Sequence, residues 1–491
     1  MMAVPNCLRC LVRPSTTSIT TSVIPQSQRI VPILAAPFST TSSVQKAGMQ
    51  PRKKAGIPGK GSLSRAQIGP NGHIRAGKKM QLGKFKKAKN IERGKAPAPG
   101  ERKAFRKRVL LSNDNALPVT GLEELSAQGL LDASNVGRMV ALPNELVDQL
   151  RAVEAFKPTQ SWGMFRQPSV LLRKESVELA KKMTETAGRG ETLKLVISGD
   201  KLVGKSMLLL QAISNAFLNN WIVFHVPEGQ ELTNASTDYA PIPDTKPTQY
   251  SQQAYGLRLL QALRKANASI LAELRTVNPH PELVQHFPVG SSLLQLANAA
   301  REPDSAWPIF NAVWSELMVK GNGRPPILFS VDGLAHIMKM SEYRSPAFEI
   351  IHAHDLALVN HFVEFLAGNK KLPNGGAVIA ATARSNAPRN PSMELMVGRR
   401  EAELGYAEEK PVKEPYGKGY DERVEKALEK VDVLKLRSVS RTEARSLMEY
   451  WAASGLLRTA VDEKTVSEKW MIGGNGNLGE MERVSLLTMR Y

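Results

Sequence analysis

The sequence reads as an α/β chain. It predicts a parallel sheet with helices on both faces, then a small helical C-terminal domain, all preceded by a basic, disordered tail. Three observations carry this reading. Strand and helix signals alternate through residues 191–390, the pattern of a parallel sheet with crossover helices. A loop with two glycines joins the first of these strands to the first of these helices. The net charge of +20 is also unevenly spread: residues 1–108 hold 23 Lys and Arg against only Glu92 and Glu101, while the remainder holds 43 basic and 44 acidic residues. The body is thus close to neutral, and its 491 residues leave room for two or three domains and a sizeable core.

Taken in order, residues 1–46 contain no acid, four basic residues and many Ser and Thr, as in "RPSTTSITTSVIPQSQR". That composition suits a mitochondrial presequence, with cleavage expected after Phe38. Cys7 and Cys10 are the two cysteines and lie in that segment, so the mature chain is expected to have no thiol chemistry. No stretch reaches 18 apolar residues, and no membrane partner is expected. Residues 47–108, "PRKKAGIPGKGSLSRAQIGP" onward, are poor in apolar side chains and rich in Lys, Arg, Gly and Pro. Alone they cannot offset chain entropy by burial, and their cations suit an RNA phosphate backbone.

Residues 109–190 form a lead-in that ends in a helical pattern. The central domain is expected over 191–395, with strands in "LKLVIS", "WIVFHV", "PPILFSVDGL" and "GAVIAATARS". Residues 227–250 read as a Pro- and Thr-rich loop, and "SQQAYGLRLLQALRKANASILAELR" as one long helix. The highly charged residues 396–433 read as a surface insertion. Residues 434–491 read as the helical C-terminal domain, whose best helix opens on a Ser440/Glu443 capping box and closes at Gly455.

Gly199-Asp200-Lys201-Leu202-Val203-Gly204-Lys205-Ser206 fits G-x-x-x-x-G-K-[ST], the P-loop pattern. The glycines let the backbone curl so that its N–H groups face phosphate oxygens, and the following helix adds its positive end. Lys205 is placed to reach the β- and γ-phosphates, and Ser206 to ligate Mg²⁺. The matching acid is Asp332, at the end of "ILFSVD", on the metal's other side. Hydrolysis asks for more. Ring-forming ATPases follow that Asp with a Glu and end the next strand on an Asn, both handling water. Here those positions hold Gly333 and Ala383. Thr382, Arg384 and Asn386 are the remaining candidates to face the γ-phosphate, and Glu349 and Glu364 the candidates to orient water. No N-K-x-D base-reading motif is present. The site therefore reads as built to bind and poorly equipped to turn over. His352, His354, Asp355 and His361 invite a metal reading, but histidines at i and i+2 do not share a helix face.

Five stretches together resemble one family: "FKPTQSWGMFRQPSVLLR", "ISGDKLVGKSMLLLQA", "ILFSVDGL", "AVIAATARSN" and "RTEARSLMEYWAASGLL". It is the mitochondrial small-subunit ribosomal protein family of death-associated protein three, and the likeness spans residues 140–480. The resemblance implies an AAA+-like P-loop module with a winged-helix-like C-terminal part. It implies a structural component of the head of the small subunit, beside its rRNA and head proteins and near the bridges to the large subunit. It also implies a bound guanine nucleotide, GTP or GDP in preference to ATP, with Mg²⁺. Carried onto this sequence, the phosphate loop is Gly199 to Ser206 and the metal-side acid is Asp332. The tail and the 396–433 segment lie outside the family pattern. Two other functions are kept open: an active mitochondrial AAA+-type NTPase serving assembly or moving on nucleic acid, and an RNA-binding adaptor with a vestigial loop.

Overall fold

The computed structural model describes residues 109–487 except 284, 322, 385 and 386. The expected presequence (1–46) and basic tail (47–108) lie outside the described residues, as does Asn386.

The lead-in carries strand β1 (Met139–Ala141), helix α1 (Asn144–Ala152) and strand β2 (Ser169–Leu171), with β1 and β2 paired antiparallel. Helix α2 (Lys174–Gly188) brings the chain to β3 (Thr192–Gly199). Then come α3 (Lys205–Leu218), β4 (Ile222–Val226), α4 (Gln253–Ala266), α5 (Pro303–Leu317) and β5 (Ile327–Asp332). Helix α6 (Ala357–Ala367), β6 (Gly376–Ala381), α7 (Pro391–Glu403), α8 (Glu422–Leu428) and β7 (Asp432–Leu436) complete the sheet layer.

The five strands lie in the order β7-β3-β6-β5-β4, all parallel. A strand's side chains alternate between faces, and the two faces bury different partners. Leu193, Leu195 and Ile197 of β3, with Ala377, Ile379 and Ala381 of β6, pack on α2 and α3. Val196, Val378, Ala380, Phe329 and Val331 face the other way, onto α4, α5 and α6. There the rings of Phe224, Phe310, Trp314, Phe329 and Phe365 interlock around His361, whose centroid lies 4.4 Å from that of Trp314. Edge-to-face pairs of this kind contribute about 0.5–1.5 kcal/mol each beyond area burial.

Two segments differ from their sequence reading. The stretch expected as one helix breaks at Asn267, between α4 and a short helix over Ala268–Glu273. The Asn267 amide accepts from the Val223 N–H (3.1 Å) and donates to the Val223 carbonyl (3.3 Å). Strand β4 is an edge, so its outer backbone groups need partners, and Asn267 supplies them. Residues 396–433, expected as a surface insertion, are also a structural part of the sheet layer. Val424, Ala427, Leu428 and Val431 are buried in the main core. Strand β7 then straddles the boundary expected at 434 and adds the fifth strand. Most of the charges that suggested an insertion lie on the outer faces, where Arg400 pairs with Glu403 and Asp432, while Glu401 is buried and accepts from Ser198 and Lys435.

The C-terminal region holds α9 (Arg441–Ala453) and α10 (Glu463–Ile472) around a third core containing Met448, Trp451 and Met481. Helix α9 opens on the Ser440/Glu443 capping box, and Gly455 follows its end at φ 75°. Past Leu436 the described residues form helices and no strand, and the β1–β2 pair packs on their core through Met139 and Leu171. Among the described residues no helix is long and apolar enough to cross a membrane.

Candidate functional site

Parallel strands deliver their C-terminal ends to one edge of a sheet, where ligands of open α/β folds gather. Register fixes who meets there. Ala381 of β6 stands opposite Ile197 on one side and Asp332 on the other, and Leu436 stands opposite Gly199. The loop after β3, the end of β5 and Thr382 after β6 therefore share one edge, with β6 between the loop and the acid.

The loop's curl depends on unusual backbone at three residues: Gly199 (φ 141°), Leu202 (φ 63°) and Gly204 (φ 102°). A side chain at Gly199 would lie 2.5 Å from the Leu436 carbonyl oxygen. Gly204 is the N-cap of α3, so the first N–H groups of that helix open toward the loop.

Above this edge lies a cavity of about 590 Å³, a size common for small-molecule sites. Lys201, Leu202, Gly204, Lys205 and Ser206 line it, with Asp332 and Thr382. The other residues of the motif shape the loop instead: Val203 is buried, Gly199 sits under Leu436, and Asp200 is exposed with its carboxylate 3.4 Å from Arg384. The Lys205 ammonium donates to the carbonyls of Gly199 (2.9 Å) and Asp200. Burial pushes its pKa down to about 8, with Arg384 acting the same way and Asp200 and Asp332 opposing. A bound anion would reverse that penalty. The Thr382 hydroxyl donates to the Ile197 carbonyl (3.1 Å), which ties the ends of β6 and β3 together.

Asp332 is buried and ion-paired with Lys157, which enters from the lead-in. Ser206 and Asp332 offer a hydroxyl and a carboxylate, the hard oxygen donors Mg²⁺ takes. They fit that ion, although an ion there would share or displace the Lys157 ammonium. The residue after Asp332 is fixed by its backbone: Gly333 sits at φ 92° with Gly229 packed against it. A glutamate could take that position only with strain. Glu349 and Glu364 do not line the cavity. The acids that do are Asp332 and Glu482.

Sequence reasoning missed the residues that hold the loop from outside. Arg173, buried, donates to the carbonyls of Val203 (3.2 Å) and Arg437 (2.7 Å). The Asn477 amide donates to the Lys201 carbonyl (2.6 Å), and the Gly479 N–H to the Leu202 carbonyl (3.1 Å). Three successive loop carbonyls are thus fixed by residues distant in sequence. Lys157 and Arg173 both lie in "FKPTQSWGMFRQPSVLLR", the first of the five stretches that carry the family resemblance. The histidines take structural places. His352 pairs with Asp421 (2.9 Å), and His354 lies 3.3 Å from the Met338 sulfur. Burial holds His354 and His361 down to about 3. No metal-ligand cluster occurs among the described residues.

Fold and cavity together define an α/β protein with a five-stranded parallel sheet and a glycine-bounded loop beside a cavity at its strand ends. Residues 170–484 match the family described as mitochondrial ribosomal death-associated protein 3. A full-length relative, the small ribosomal subunit protein mS29 of Neurospora crassa, is 51% identical over 490 residues, covering 100% of both chains. The chain belongs to the mitochondrial ribosomal death-associated protein 3 family, and its place is the mitochondrial ribosome in the matrix. A solved E. coli MS115-1 HORMA:CdnC:Trip13 complex is similar at 13% identity and a TM-score of 0.25, covering 72% of this chain and 83% of that one. That likeness is too low to carry an argument.

Proposed function

We propose that this protein is a structural component of the small subunit of the mitochondrial ribosome. In this reading it holds a guanine nucleotide with Mg²⁺ as part of its folded core. The observation that carries the proposal is the cavity's construction: one wall comes from the loop after β3, one from the lead-in, and one from the C-terminal helices. A nucleotide there would tie together three segments that meet only in the folded state. Its phosphates would face the first turn of α3 and Lys205, and Ser206 and Asp332 would hold the metal. The full-length likeness to a small-subunit protein supports the assignment to that subunit. In that setting the basic residues 47–108 would contact rRNA, and the folded body would pack against neighbouring head proteins near the large-subunit bridges.

Bound ligand stabilises a fold by about 2.7 kcal/mol when present at a hundred times its dissociation constant. Lys205→Ala is therefore expected to lower the protein's thermal midpoint in the presence of GTP and to deplete it from small subunits on a high-salt sucrose gradient. The wild-type peak should yield stoichiometric guanine nucleotide. Normal assembly of a variant whose extracted cavity holds no nucleotide would rule out the brace.

A further inference from the structure

The phosphate loop supplies one part of the cavity's lining, and another part has a different chemistry. It is walled by Trp162, Phe165, Leu171, Leu447 and Tyr450, an apolar, aromatic slot flanked by the first turns of α3. The Trp162 ring is buried and braced edge-on by Phe156 at 5.1 Å. A planar heterocycle suits such walls, so a nucleotide with its phosphates on the loop would lay its base here.

Most polar side chains of the lining are committed elsewhere. The Gln211 amide donates to the Leu171 carbonyl (2.8 Å) and accepts from the Ser176 hydroxyl. Arg173 is committed to the Val203 and Arg437 carbonyls, and Arg483 pairs with Glu480 at 3.2 Å. Of the two carboxylates in the lining, Asp332 is ion-paired with Lys157, and Glu482 remains. It stands at the end of the short helix Leu478–Glu482, whose Gly479 N–H is bonded to the Leu202 carbonyl of the loop. Burial raises its pKa above the ordinary carboxylate value, and the Ser161 hydroxyl partly offsets this by bonding to it. A half-buried carboxylate with one hydroxyl partner has acceptor capacity to spare.

The geometry points to Glu482 as the base-reading residue: its carboxylate accepts the N1–H and the exocyclic N2 amino group of guanine. Adenine offers one donor on that edge and places the N1 lone pair against the second carboxylate oxygen. Xanthine has a carbonyl in place of the N2 amino group and is refused for the same reason. This assignment rests on the nucleotide reading above, and it gives the guanine preference a residue that no sequence motif supplies.

The test is competition of GTP, XTP and ATP against a fluorescent GDP analogue on the purified full chain, with Lys205→Ala as the site control. Wild type should prefer GTP over ATP and XTP by about tenfold or more, the scale of a buried donor–acceptor mismatch. Glu482→Gln should weaken GTP by about tenfold and raise the XTP-to-GTP ratio, because its amide can donate to the xanthine carbonyl. Ser161→Ala, a milder change, should reduce the GTP preference in the same direction. A ratio unchanged in Glu482→Gln, or wild-type binding without base preference, overturns the assignment while leaving the nucleotide site standing. If Glu482→Gln fails to fold, the wild-type ratio and Ser161→Ala decide the matter. Failure of wild type to bind any of the three, equal to Lys205→Ala, overturns the nucleotide reading itself.

Discussion

Two parts of the cavity's lining are built in opposite ways. The loop part comes from one run of eight residues, five of which line the cavity, and one strand-end acid; the spacing of Gly, Lys and Ser is dictated by the local turn from strand to helix. In the apolar part, Trp162 and Phe165 of the lead-in and Leu447 and Tyr450 of α9 join the lining, with Glu482, from segments hundreds of positions apart. The comparison teaches that a contiguous motif is not a self-supporting one. The loop carbonyls of Lys201, Leu202 and Val203 are held by the same distant segments that make the apolar part.

That interdependence can be broken from either side. The largest effect is expected from Gly199→Val. The position combines a φ of 141° with a side-chain site 2.5 Å from the Leu436 oxygen, so strain and overpacking add to about 4 kcal/mol in a denaturant titration. Loss of β7 pairing should accompany loss of the loop, visible as faster amide exchange over 432–436. A variant as stable as wild type would mean that the loop and β7 are not packed as described.

Arg173→Met comes next. It keeps the side chain's bulk and leaves the carbonyls of Val203 and Arg437 without their donor. The expected cost is about 3 kcal/mol, because charged donors to buried acceptors are worth more than neutral ones. Nucleotide affinity should fall with it, although Arg173 belongs to the lead-in and not to the motif. A purely local loop would instead keep its affinity.

The smallest effect is expected from Asn477→Ala, which removes a single hydrogen bond to Lys201, worth about 1 kcal/mol. Its use is in a double-mutant cycle with Arg173→Met. The two hold carbonyls only two residues apart in one short loop, so a coupling energy above about 0.5 kcal/mol is expected. Strict additivity would show that the lead-in and the C-terminal region grip the loop independently.

Much of the sheet was legible because strand burial and flanking Gly and Pro are local signals. "LKLVIS", "WIVFHV", "ILFSVD" and "AVIAA" are four of the five strands. The fifth, β7, was not legible. "DVLKL" is short, begins with an acid, and follows a charged stretch whose buried positions Val424, Ala427 and Leu428 are spaced along one helix face among lysines and glutamates. The break at Asn267 was hidden for a related reason, since its cause is the open edge of β4, which belongs to another part of the chain.

By itself, then, the sequence determined the tight glycine loop between β3 and α3, the acid at the end of β5 and the capping of α9, because each is encoded by residues within one turn or one strand of each other, and it determined the family from several such short stretches. Only the tertiary structure decided that Lys157 meets Asp332, that Arg173 and Asn477 grip the loop, and that Glu482 faces the same cavity as Lys205. Those pairings depend on strand order and on where the C-terminal helices dock. Both are set by the burial of whole faces against one another, a sum over many side chains that no short spacing records.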